Sequence, residues 1–191
     1  MRTTFGIFCV FLLLAVPGAS LAGPPTDAVR RLVDSVREYG DVNASESQSA
    51  RLREIEDTLA VSDLARRVLA SQWDKIGSKE RRDFVDLLTG LFRKVAYPRS
   101  AEFFGELRVE YGEERTNGDR AVVETAVVHP DEGRVGIEYE MRRVDGRWVV
   151  WDILLDGVSL TTSVSSQMQH VIAKESYEGL VRRMREKLAE G

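Results

Sequence analysis

Asp152 and Asp156 bracket the apolar tripeptide Ile153-Leu154-Leu155, and of all the side chains in the chain they have the types and setting best suited to proton chemistry. A carboxyl buried beside apolar groups has a raised pKa and can serve as a general base, as in isomerase-like sites on cone-shaped α+β folds. The competing reading has Asp152 alternating to solvent or satisfying a turn. Other reactive groups are sparse. His129 precedes Pro130 in a predicted turn, and His170 lies in the helical pattern from Gln167 to Ala173. Neither has the spacing of a metal-binding pair such as H-E-x-x-H, so no metal is expected. Cys9 is the only cysteine, and the pattern G-x-S-x-G and a glycine-rich phosphate loop are both missing. Ser159, in Asp156-Gly157-Val158-Ser159-Leu160, reads as a structural hydroxyl near a helix start rather than a nucleophile. The Glu110, Glu113, Glu114 and Arg115 cluster reads as a solvated strand edge.

Apolar surface is plentiful by contrast. From Trp148 the chain runs as an aromatic and β-branched strand, breaks at Asp156-Gly157, and passes through Val158-Ser159-Leu160 into a Ser/Thr series that opens a helix. A strand that delivers an apolar tripeptide to a helix entrance makes a hydrophobic mouth. Phe84, Leu88 and Leu91 lie on a helix face broader than one neighbour needs. Tyr111, Val123 and Tyr139 lie on alternating strand faces. Trp73, Tyr97, Phe103 and Trp151 sit among them, and Val158, Leu160, Val164 and Met168 follow at the mouth. All are candidate ligand contacts; the helix face, the strand faces and the Val158–Leu160 segment, with the aromatics among them, are expected to point inward, and Val164 is expected at the mouth. Periodicity alone does not separate a cavity wall from an ordinary core.

The elements that position these residues follow from the pattern. Val29, Leu32, Val33 and Val36 predict an amphipathic helix over Thr26–Tyr39, capped by Thr26 and ended by Gly40. The polar stretch Asp41–Ser49 reads as a loop or helix start, and Leu52, Ile55 and Leu59 continue the helical period. Ser62-Asp63 open a helix that runs to Trp73 and breaks at Gly77. Ser78 caps the next, and Pro98 interrupts it before Ala101–Phe104. From Glu106 the period changes to two. Asn117-Gly118, Pro130–Gly133 and Asp145-Gly146 then separate four strands of an antiparallel meander. A last helical region begins near Thr161 and restarts at Ser176, where Tyr177, Leu180, Val181, Met184 and Leu188 form one stripe.

The N-terminus reads as an export signal over residues 1–22. Arg2 precedes a 12-residue apolar run from Phe5 to Val16, and Ser20-Leu21-Ala22 fits a cleavage site. Its removal leaves 169 residues without cysteine, enough for one domain held by its core alone. That domain divides into a helical part (23–105), a sheet (106–156) and C-terminal helices (157–191). It carries 26 basic and 31 acidic residues, a net charge of −5. No basic run suggests a nucleic-acid partner or a polybasic hold on a membrane.

The run Trp151-Asp152-Ile153-Leu154-Leu155-Asp156-Gly157-Val158-Ser159-Leu160, with Ser166-Gln167-Met168 after it, resembles the signature of the MlaC or toluene-tolerance family. Leu64–Leu69 with Trp73, then Glu80–Phe84 with Leu87, Leu88 and Tyr97, resemble its earlier helices. The resemblance implies an α+β fold: a curved four-stranded antiparallel sheet wrapped by N- and C-terminal helices, like the nuclear-transport-factor cone. It implies a periplasmic carrier with no cofactor and no catalytic step, whose cargo is phospholipid held between sheet and helices. Its implied partners are an outer-membrane lipoprotein complex and an inner-membrane ABC transporter complex, between which it shuttles lipid to maintain outer-membrane asymmetry. Where the family commonly has Asn-Tyr-Arg, this chain has Ser163-Val164-Ser165. An arginine fork suits a phosphate, and without one at Ser165 the headgroup is left open. The rival readings are a carrier of another lipid, such as a hopanoid, a small enzyme using Asp152 or Asp156, and a lipid-free adaptor that only binds a membrane complex.

Overall fold

Two-residue turns build most of the sheet. The structure is a computed structural model, in which residues 24–39, 45–105, 107–130 and 133–190 are described. The expected signal segment with Cys9, the proposed stop at Gly40 and the side chain of His129 lie outside the described residues. Strands β1 (Arg108–Asn117), β2 (Arg120–His129), β3 (Gly133–Val144) and β4 (Arg147–Leu155) pair antiparallel in sequence order. Asp145-Gly146, with φ of 48° and 79°, forms a turn whose left-handed residues match the strand twist. The same chemistry recurs at Asp156-Gly157, with φ of 46° and 81°. There it folds back a fifth strand, β5 (Val158–Ser159), which pairs Leu154 with Ser159 and Leu155 with Val158. The expectation of four strands is therefore corrected to five. A two-residue strand carries no alternation of its own, so its pattern is invisible until the Asp-Gly turn places it.

Two bulges shape the sheet. The register slips between Tyr111 and Glu114 on β1, and again on β4, where Glu140 faces Asp152 but Met141 faces Val150. The residue left over on β4 is Trp151. The bulge swaps the alternation beyond it, so that Ile153 and Leu155 return to the same face as Val150 and Trp148, opposite Tyr139 and Ile137.

Helix α1 (Pro25–Tyr39) lays Val29, Leu32, Val33 and Val36 on that face together with α2 (Ser45–Leu59) and α5 (Tyr97–Phe104). The resulting cluster contains Ile55, Tyr97, Val123, Val127, Ile137, Tyr139 and Met141. Thr26 does not cap α1 but lies in its first turn, where its hydroxyl donates to Glu114 at 2.6 Å. A second cluster forms from helices alone: α3 (Val61–Leu69), α4 (Ser78–Leu91) and α6 (Leu160–Glu190). Leu59 and Phe92 pack against both clusters.

Three helix boundaries differ from the pattern. Expected to run to Trp73, α3 instead stops at Leu69; Ala70 adopts φ 47°, ψ −127°, and a 3-10 turn follows over Ala70–Lys75. The N-cap of α4 is Gly77 rather than Ser78, and the Glu80 carboxylate accepts the Gly77 N–H at 2.6 Å. Between α4 and α5 the chain widens into a π turn over Phe92–Ala96. Pro98 has no N–H for the Lys94 carbonyl and its ring crowds that position, and a wider turn relieves both. In α6, Ser176 breaks the helix with φ 68°, ψ 175°, at the restart read from the sequence.

Candidate functional site

The start of α6 is built by Asp152. One carboxylate oxygen accepts the Ser159 hydroxyl at 2.5 Å, and the other accepts the N–H groups of Ile153 at 2.8 Å and Thr161 at 3.1 Å. Ser159 in turn accepts the Thr162 N–H at 3.0 Å, so strand β4 supplies the anchor and β5 the cap for the first turn of α6. Burial pushes the Asp152 carboxyl up, but the hydrogen bonds from Ser159, Thr161 and Ile153 outweigh it and hold the pKa below its ordinary value. A general base for neutral pH needs the opposite shift and a free oxygen. Asp152 lies on the outer sheet face, partly buried, and is not poised for proton transfer; it ties a strand to a helix. Asp156 accepts the Gly136 N–H at 3.1 Å and shapes the β4–β5 turn.

Beside this anchor, the bulge aims Trp151 at two cations. The guanidinium carbon of Arg142 lies 3.6 Å from the indole centroid and that of Arg67 lies 4.1 Å from it. Two guanidinium groups this close to one ring centre must occupy opposite faces. Burial draws the Arg67 pKa down, and neighbouring Arg142 acts in the same direction, against Asp152 and Asp63. Arg67 donates to the Thr161 hydroxyl at 3.4 Å, while its buried Nε has no hydrogen-bond partner. On the α3 side, a concavity of about 350 Å³ runs between Arg66, Arg67, Trp73, Asp74 and Trp151. Across the sheet face, another of about 340 Å³ is bounded by Arg115, Arg120, Val122, Glu140, Arg142 and Trp151. Each is near the small end of the roughly 300–1,000 Å³ common for small-molecule sites.

The apolar candidates divide into four groups. Tyr97, Val123 and Tyr139 are buried in the sheet-side cluster, with Tyr111 partly buried at its edge beneath the Arg30 guanidinium. Phe84 and Leu88 are buried in the helical cluster, with Trp73, Leu91 and Met168 packed against it. Trp151 stands between its two arginines. Phe103, Val158 and Leu160 do not point inward as expected: they are 38%, 60% and 37% exposed, and Val164, expected at the mouth, is 36% exposed. Leu160 and Val164 flank Thr161 one turn apart on α6, so the apolar lip borders the residue that receives Arg67. The two clusters are separate core packings rather than opposite walls of one chamber. Arg67, Arg142 and Arg120 are not among the residues that the sequence marks as candidate contacts. Alternation places Arg142 and Arg120 on the charged strand face, and nothing local announces the bulge that brings Trp151 to them.

Ser165 donates to the Val68 carbonyl at 3.0 Å and Gln169 to the Leu69 carbonyl at 2.9 Å, closing α3 against α6. Among the described residues no group of histidine, cysteine, aspartate or glutamate could hold a metal ion, and no helix is long and apolar enough to cross a membrane.

No curated protein matches the chain. Among solved structures, one that resembles it is described as a phospholipid-binding protein from Ralstonia solanacearum in complex with a phospholipid. The two are 18% identical, with a TM-score of 0.70 over 88% of this chain and 98% of that one. At that identity the likeness concerns the fold: an open antiparallel sheet with helices against it. The family comparison reaches further, because residues 26–186, from the first turn of α1 to the end of the helical cluster, match a single family. The chain belongs to the MlaC protein family.

Proposed function

We propose that this protein is a carrier that binds phospholipid in the periplasm and passes it between an outer-membrane lipoprotein complex and an inner-membrane ABC transporter complex, maintaining outer-membrane asymmetry. The observation that carries the reading is the lip of Val158, Leu160 and Val164, held in water at the entrance to α6 in a chain of the MlaC family. Exposed apolar residues grouped at one edge mark a surface that meets lipid or a partner. Each buried methylene is worth about 0.8 kcal/mol, so a carrier must replace the membrane's apolar environment along the whole acyl chain. The concavities beside Trp151 are small for two such chains, and admission of cargo requires α3 and α6 to part from the sheet. The strained backbone at Ala70 and Ser176 fits that role, since both belong to these helices or their ends. The phospholipid held by the Ralstonia solanacearum structure supports the choice of cargo. The structural role of Asp152 weighs against the rival enzyme.

Native mass spectrometry of the protein, purified under mild conditions from a double-membrane bacterium, tests the reading. We expect a fraction carrying phospholipid mass. Apo protein alone across several mild preparations would defeat it, and a bound steroid or quinone would favour a different cargo.

A further inference from the structure

We infer that Arg67, Arg120 and Arg142, grouped around Trp151, form a binding site for the phosphate of the lipid headgroup; this rests on the carrier reading above. The sheet register places Arg120 directly opposite Arg142 on the outer face. Like charges in opposed positions repel, and a sheet seldom keeps them without a counter-charge. Neither guanidinium forms a hydrogen bond or ion pair among the described residues, although Arg115 on the same face is paired with both Glu113 and Glu124. Arg67 adds a third cation across the indole, also without an ion pair, and its Nε–H is buried and unsatisfied. A buried donor left without an acceptor is costly, and native structures rarely keep one without a use. Asp63, Asp74 and Glu140 border the two concavities, and none of them forms an ion pair with Arg67, Arg120 or Arg142.

The chemistry of the ligand follows from the neighbours. A phosphate accepts two parallel N–H bonds from a guanidinium fork on two of its oxygens, and it would screen the repulsion between Arg120 and Arg142. The indole fixes the two stacked forks in place and keeps them from collapsing onto nearby carboxylates. Thr161 joins Arg67 to α6, and Leu160 and Val164 stand on either side of Thr161. A cationic patch next to an apolar lip fits an amphiphile with an anionic head. The lip receives the start of the acyl chains while the arginines receive the phosphate.

The test uses the whole mature protein incubated with vesicles containing equal amounts of phosphatidylglycerol and diacylglycerol with identical chains, followed by mass spectrometry of the retained lipid. The wild type should retain phosphatidylglycerol over diacylglycerol by about tenfold or more, a factor that corresponds to about 1.4 kcal/mol. Arg120→Gln/Arg142→Gln should retain the two lipids about equally. Both positions lie on the outer sheet face, so the fold should survive, as circular dichroism would verify. Arg142→Lys, which keeps the charge but loses the fork, should fall between. Undiminished preference in the double variant would overturn the site, as would equal retention by the wild type, and in both cases the carrier reading would stand. Retention of neither lipid by the wild type would bring down the carrier reading and this site together. In a parallel arm, inorganic phosphate is titrated while the indole N–H resonance of Trp151 is followed by NMR. A shift in the wild type that the double variant lacks, together with lipid preference, supports the site. The same shift without lipid preference would reassign the cluster to free phosphate and overturn the headgroup assignment.

Discussion

The two apolar clusters are made of similar residues but held in different ways. On the sheet side, α1, α2 and α5 pack onto strands whose backbones are locked by long antiparallel ladders, and Val123, Val127, Ile137 and Met141 are fully buried. In the other cluster, three helices meet without any sheet beneath them, and α3 and α6 carry Ala70 and Ser176 in backbone conformations that suit glycine. Such residues cost about 1–3 kcal/mol each. The sheet side is thus a platform fixed by backbone ladders and the helical side is held by side-chain packing, with the Trp151 stack and the apolar lip along the seam between them.

The largest expected effect separates core from lip. Leu88 is 3% exposed in the helical cluster, and Leu88→Arg should remove about 4 kcal/mol or more by burying an unpaired charge. Chemical denaturation should show the loss directly. Val164 is 36% exposed, so Val164→Arg should change stability by no more than about 0.5 kcal/mol. It should nonetheless lower lipid occupancy in native mass spectrometry. Unchanged occupancy in Val164→Arg would mean that the lip is not the entrance.

A smaller effect is expected at the joint between platform and helices. Asp152→Asn loses a charged acceptor of three N–H and O–H groups, and about 1–2 kcal/mol of stability should go with it. Because folding depresses the Asp152 pKa, its contribution is present above the ordinary carboxylate range and is lost as pH falls below about 4. The wild type should therefore lose its advantage over Asp152→Asn in urea melts taken on the acid side of that value. Lipid transfer should decline only as far as the α6 entrance loosens. Abolished transfer with lipid still bound and the fold intact would return the enzyme reading to contention.

The smallest effect probes the helical side. Ala70→Gly and Ser176→Gly relieve positive φ and should each stabilise the fold by about 1 kcal/mol after glycine's entropic cost. Thermal melts would detect this. If both substitutions destabilise, side-chain contacts rather than backbone strain govern those positions.

These contrasts also explain what the sequence could and could not reveal. Asn117-Gly118 and Asp145-Gly146 are local signals, and the meander they imply is the one that forms. The restart at Ser176 was legible because the stripe from Tyr177 through Leu180 to Met184 begins there and packs into the helical cluster. The stop at Ala70 was not, because apolar spacing continues past it to Trp73 while the backbone turns for tertiary reasons. Strict alternation would put Ile153 and Leu155 opposite Val150, and the bulge at Trp151 reverses this. Such a bulge depends on the partner strand, so the arginine stack could not be read from β4 alone. Val158, Leu160 and Val164 read as a mouth in the sequence, but apolar character by itself suggests that Val158 and Leu160 face inward.

The break at Ser176 gives α6 two sets of moorings. The stretch before it is tied to β4 through Asp152 and to α3 through Ser165 and Gln169. The stretch after it is tied to the α4 region, where Tyr177 donates to the Glu80 carbonyl and Lys94 reaches the Leu188 carbonyl. Local opening in proteins follows such cooperative units rather than the outline of a helix. Amide hydrogens on the two sides of Ser176 should consequently exchange with solvent deuterium at different rates, the first group in step with β4 and the second in step with α4.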